Sequence, residues 1–160
     1  MPDRPLPAPT DPITASSAVR EHLTKALAGR RYEYDDDRTI LLWLQAARPT
    51  GETDEYLVRL RFLHYPDWPP SVTFLNPSTR LYDATHWPAI SGNPNNAFYP
   101  KYGDAPEGMM CNTTSFEYYF WGGHTPTSTI HWNKNCHTFA ATIAELADNL
   151  RKPFYQGRQT

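Results

Sequence analysis

The stretch Tyr65-Pro66-Asp67-Trp68-Pro69-Pro70-Ser71-Val72-Thr73-Phe74 decides the fold. Each proline fixes its own φ and offers no backbone N–H. Pro66, Pro69 and Pro70 therefore make a rigid turn, and the segments on either side read as strands. Before the turn, Tyr56 to Leu63 alternates, with Val58, Leu60 and Phe62 on one face and Arg59 and Arg61 on the other. That period belongs to a half-buried antiparallel strand. Val72 and Phe74 resume it after the turn. Further upstream, Thr39 to Ala47 carries Leu41, Leu42, Trp43 and Leu44 and reads as a buried strand, closed by a turn at Pro49-Thr50-Gly51-Glu52. The three strands form a meander with one face free to receive a helix.

Residues 1–10, with Pro2, Pro5, Pro7 and Pro9, read as a flexible or extended proline-rich arm. Asp11 and Pro12 offer an N-cap and a first helical position for a helix over roughly 12–28. Val19, Leu23, Ala26 and Leu27 give it an apolar face, and Gly29 is its stop. The opposite face carries Arg20, Glu21, His22 and Lys25, an ordinary solvated face whose sharper alternative is partner docking. Asp35-Asp36-Asp37 reads as a solvated turn before the first strand. From Asn76 to about Asn135 periodicity disappears, yet the aromatic content of this segment points to ordered coil anchored on the sheet. Helical spacing returns at Phe139, Ile143, Leu146, Ala147 and Leu150, and Pro153 ends it. The sum is one α+β domain over residues 11–155, with both helices packed on the sheet and a tail at 156–160.

At 160 residues the chain can bury a core without staples. A net charge of −2 supplies no pull toward nucleic acid or an anionic membrane. No apolar run reaches the ~18 residues of a membrane span, and the start has no secretory h-region. A cytoplasmic, reducing setting is the expectation, with Cys111 and Cys136 both free.

A thiol is at once a strong nucleophile and a good leaving group, which suits acyl transfer. Cys111 follows Gly108-Met109-Met110 and precedes Asn112, Thr113 and Thr114, which can donate hydrogen bonds beside it. The bland reading of Cys111 is a small buried hydrophobe. Cys136, just before the C-terminal helix, reads as a buried packing residue, its alternative a thiol whose pKa is lowered by that helix's positive end. His86, His124, His131 and His137 lack the paired spacing of a structural zinc site, so no metal and no organic cofactor is expected. His124 follows Gly122-Gly123 in a loop and is a candidate to approach the thiol from its other side. Tyr118 to Trp121 reads as core, or as a docking surface if exposed.

Taken together, the turn Tyr65-Pro66-x-x-Pro69-Pro70-x-Val72-x-Phe74, the segment Gly108-Met109-Met110-Cys111, and Trp132 followed by Thr138-Phe139 and an apolar helix resemble the ubiquitin-conjugating (E2, UBC-like) superfamily over roughly residues 17–152. His86-Trp87-Pro88 occupies the place of that family's His-Pro-Asn, without the asparagine. Asn93, Asn95 and Asn96 lie in the longer gap that follows, and none is singled out for the asparagine's role. The divergent pattern looks more like the bacterial E2-like proteins encoded beside E1-like, ubiquitin-like and JAB-type peptidase partners. The resemblance implies a UBC-like fold and a thioester on Cys111, received from an E1-like adenylating enzyme and passed to an amine. It implies Arg20 and Lys25 as E1-contact candidates, His86 as an orienting or oxyanion candidate, and a role in antiphage defence; Asn112, a donor next to the thiol, is an oxyanion candidate by its position. Two other readings compete: a catalytically inactive UBC- or RWD-like binding module, favoured by the missing asparagine, and a metal-dependent hydrolase built from the histidines.

Overall fold

A computed structural model describes residues 4–12, 17–94, 97–127, 129–151 and 153–159. The protein is α+β, built on a four-stranded antiparallel sheet in the order β1-β2-β3-β4. The strands are β1 (Tyr32–Asp36), β2 (Thr39–Ala47), β3 (Thr53–Arg61) and β4 (Ser71–Leu75). β2, β3 and β4 are the expected meander; β1 adds an edge strand in register with β2, Tyr32 opposite Leu42. Its side chains are mostly exposed, so the apolar alternation that marks a half-buried strand is missing from it. The aspartate run ends β1 and enters the hairpin turn, where Asp36 Oδ1 accepts from Arg38 N–H at 2.7 Å.

One sheet face carries the main core. Ile40, Leu42 and Leu44 of β2, Val58 and Leu60 of β3, and Val72 and Phe74 of β4 join Val19, Leu23, Leu27, Phe139, Ile143 and Leu146. Burying each such aliphatic or aromatic side chain contributes roughly 1.5–3 kcal/mol, and here both helices supply the cover. The first, α1, is Ser17–Ala26, and Gly29 at φ +71° follows its end. Asp11 and Pro12 lie outside it, and residues 13–16, within the expected helix, lie outside the described residues. His22 does not share the solvated face. It is half-buried, with Nδ1 3.4 Å from the Tyr65 hydroxyl. The C-terminal helix, called α3 here, is Phe139–Asn149, and Thr138 caps it by accepting from Ala140 N–H at 3.4 Å. The opposite face of the sheet holds a smaller cluster, Leu41, Leu57 and Leu75, with Trp43 and Tyr82 against it.

The segment expected to be coil is ordered, and it contains short elements. A 3-10 turn at Ala84–His86 precedes β5 (Pro88–Ile90), β6 (Ala97–Tyr99), β7 (Met109–Cys111) and the one-turn helix α2 (Phe116–Phe120). Its aromatics do anchor it: Trp87, Phe98, Phe116, Tyr119, Phe120 and Trp132 are buried.

Both termini depart from expectation. Residues 156–158 are not a tail, because β8 (Tyr155–Arg158) pairs antiparallel with β5. The Tyr155 ring is fully buried, and its hydroxyl donates to Asp54 at 2.6 Å. The proline-rich arm is held against the domain from Arg4 onward. Thr10 N–H donates to Leu63 O at 2.9 Å and Thr10 Oγ1 to Tyr65 O at 2.6 Å. The Arg4 guanidinium stacks over the rings of Trp68 and Phe120, at 4.7 and 4.4 Å. Met1 to Asp3 lie outside the described residues. No helix among the described residues is long and apolar enough to cross a membrane.

Candidate active site

The proline turn is the frame on which the site is hung. Its carbonyls are spent on distant segments: Pro66 O accepts from the Trp132 indole N–H at 2.9 Å, and Pro70 O from Phe116 N–H at 3.1 Å. The Tyr65-Pro66 peptide is cis. Tyr119 ties the same segments together from below. Its hydroxyl accepts from Trp132 N–H at 2.7 Å and donates to Thr113 O at 2.8 Å. From the other side, Thr142 of α3 donates to Thr114 O at 2.8 Å. The loop 112–115 after Cys111 is therefore held from two helices, by Tyr119 of α2 and Thr142 of α3.

Cys111 is the last residue of β7, opposite Ala97 of β6. Met109 and Met110 before it are buried, so the strand is anchored by its first two side chains. Gly108 starts the approach at φ +77°, packed so closely that a Cβ there would lie 2.5 Å from the Trp87 ring and 2.8 Å from Tyr99 O. Only glycine fits both the backbone conformation and the space. The thiol itself is half-buried and opens into a groove of about 910 Å³. Burial pushes the Cys111 thiol above its ordinary range.

Across that groove from the β6–β7 ribbon stand Tyr118, His124, Ile130 and His137. Tyr118 and His124 stack in parallel, with ring centroids 3.9 Å apart and planes 6° apart. The Tyr118 hydroxyl lies 3.5 Å from His131 Nε2. His124 thus lines the same groove as Cys111. Tyr118, expected in the core, is half-buried: it packs against the edge of the main core and also lines the groove. Nothing in its sequence neighbourhood separates it from Tyr119 and Phe120, which are buried.

Asn112 is buried, and its Oδ1 accepts from Thr114 N–H at 2.8 Å and Thr114 Oγ1–H at 2.6 Å. It organises the loop, with its oxygen committed inward. Asn93 lines the groove and donates its amide to Asn149 Oδ1 at 2.9 Å. Asn95 and Asn96 lie outside the described residues. His86 is not brought to the groove. Its Nδ1 sits 3.1 Å from Asp83 Oδ2 and 3.3 Å from Thr85 Oγ1, held by the 3-10 turn that Asp83 caps. Arg20 and Lys25 are exposed on α1, and Lys25 pairs with Glu21 at 2.7 Å. Cys136 is exposed, 3.8 Å from His137 Nδ1. Among the described residues no three His, Cys, Asp or Glu side chains come together as a metal site.

Sequence reasoning also missed Glu117. Its carboxylate is buried beside β4, accepting from the Ser71 hydroxyl and from Val72 N–H at 3.2 Å. Burial pushes its pKa up to about 7. It borders a second, smaller cavity of about 180 Å³, closed in part by Leu6 of the arm and lined also by Arg61, His64 and Glu107. A glutamate inside Phe116-Glu117-Tyr118-Tyr119-Phe120 was a legible sign, because a charge amid an apolar run on a short helix has nowhere polar to go.

Compared with known proteins, the chain matches no family model, and no curated protein or solved structure matches it.

Proposed function

We propose that the chain has a UBC-like fold and acts as an E2-type transferase for a ubiquitin-like protein, with Cys111 as the thioester nucleophile. The observation that carries this reading is the setting of Cys111: a half-buried thiol at the end of β7, opening into a groove of about 910 Å³. A groove of that kind suits an extended peptide tail, and the fixed loop beneath suits repeated attack at one sulfur.

The chemistry is a pair of acyl transfers. The Cys111 thiolate adds to the carbonyl carbon of a modifier held as a thioester on an E1-like enzyme, and the E1 thiolate leaves. An acceptor amine then adds to the same carbon, a C–N bond forms, the C–S bond breaks, and Cys111 leaves as thiolate. ATP is consumed by the E1 partner. Arg20 and Lys25, exposed on α1, are the proposed E1-facing charges.

The binding-module reading has one observation in its favour. Burial raises the Cys111 pKa, which leaves little thiolate at neutral pH in the free protein. A raised pKa also makes the thiolate that does form more nucleophilic.

Incubation with an E1-like enzyme, the ubiquitin-like protein and ATP, followed by non-reducing electrophoresis, tests the proposal. The transferase gives a thiol-labile adduct that Cys111→Ala abolishes and Cys136→Ala retains. An adduct that survives Cys111→Ala rules the assignment out.

A further inference from the structure

Tyr118 projects from α2 to the groove that contains Cys111. The stacked His124 ring fixes the plane of its phenol. The direction of its hydroxyl is set by His131. Thr127 N–H donates to His131 Nδ1 at 2.9 Å. A ring nitrogen that accepts carries no proton, so the neutral imidazole keeps its proton on Nε2. Nε2–H therefore donates to the phenol oxygen 3.5 Å away. The phenol hydrogen is left pointing elsewhere, and among the described residues Tyr118 Oη has no other hydrogen-bond partner. Burial, and after it the nearby Cys111 charge, raise the phenol pKa, so the group stays a neutral donor.

Two described side-chain amides line the groove, and both hold local structure. Asn112 presents an occupied oxygen, and Asn93 has given an amide hydrogen to Asn149. We propose that Tyr118 is a catalytic residue whose O–H, oriented by His131, donates to the oxyanion formed when a nucleophile adds to an acyl group on Cys111. This rests on the transferase reading above. The incoming amine lone pair forms the C–N bond, and the carbonyl electron pair moves to oxygen, where Tyr118 stabilises it. That pair then re-forms C=O, the C–S bond breaks, and the Cys111 sulfur takes its electrons. The extra amine proton passes to water. Tyr118 keeps its proton throughout, and His131 is a positioning residue.

The test uses the full chain with Cys136→Ala, acylated by the mercaptoethanesulfonate thioester of N-acetylglycine and discharged by free lysine, both followed by intact mass. Alkylation of Cys111 by iodoacetamide, a displacement that forms no oxyanion, is run in parallel. Tyr118→Phe is expected to slow discharge by about 10²-fold with alkylation unchanged. His131→Leu is expected to slow discharge less, and His131→Gln, which keeps an N–H donor, to recover part of it. Wild-type discharge rates in Tyr118→Phe overturn the proposal, as does an equal loss of discharge and alkylation. Wild-type discharge in His131→Leu overturns the part given to the imidazole. If the parent Cys111 takes up no acyl group, the transferase reading fails and this one with it.

Discussion

The chemistry proposed for Cys111 depends on a thiol perturbed by burial alone, which pushes its pKa up. Its alkylation by iodoacetamide in a Cys136→Ala background should therefore follow a pH profile with a midpoint above the ~8.5 of an ordinary thiol. A midpoint below that would mean a stabilising charge that the groove does not display. Glu117 gives a second titration. Its folded pKa of about 7 stands above the ordinary 4.5, so the folded state holds a proton that the unfolded state releases first. Stability from this group is full below about 4.5 and is lost as pH rises through about 7, an effect on the order of 3 kcal/mol. Glu117→Gln mimics the protonated acid and can keep both partners, Ser71 and Val72. Wild type should lose melting temperature relative to this variant between pH 5 and pH 8; a constant difference across that range would contradict the assignment. Cys111 was legible because its type and its local sequence set it apart. Tyr118 was not, because Tyr118 to Trp121 reads as a uniform aromatic run and only folding decides which ring meets the groove.

The β6–β7 ribbon that carries the thiol is short, three residues a side, and holds its place through packing rather than through its ladder. Gly108 is where that packing is tightest. Gly108→Ala would set a Cβ against the Trp87 ring and two carbonyls, at a φ of +77° that side chains avoid. The expected cost is roughly 2–4 kcal/mol, read by urea unfolding. A loss below 1 kcal/mol would mean that the ribbon gives way easily, and with it the claim of a rigid nucleophile. Strand length also explains what could be foreseen. β2 and β3 run nine residues each, long enough for an apolar run to show in one and alternation in the other. β5, β6 and β7 span three residues, too few for a period, and their partners are set by tertiary contact. The proline turn was legible because proline constrains the backbone locally, wherever the rest of the chain goes.

Across the molecule, residues 4–10 and 155–158 are structural. The arm from Arg4 to Thr10 straps across the proline turn, and β8 closes the far side against β5. Neither was foreseen, because an arm rich in proline and a four-residue strand carry no periodic signal of their own. The groove between the β6–β7 ribbon and the Tyr118–His124 wall is open and is lined by Cys111. The direct test is to charge the wild-type chain with an E1-like enzyme, ATP and a ubiquitin-like protein, digest without reductant, and locate the acyl group by mass spectrometry. The account predicts the modifier's terminal acyl group on Cys111, released by hydroxylamine. An acyl group on Cys136 or on a lysine instead, with Cys111 unmodified, would contradict it.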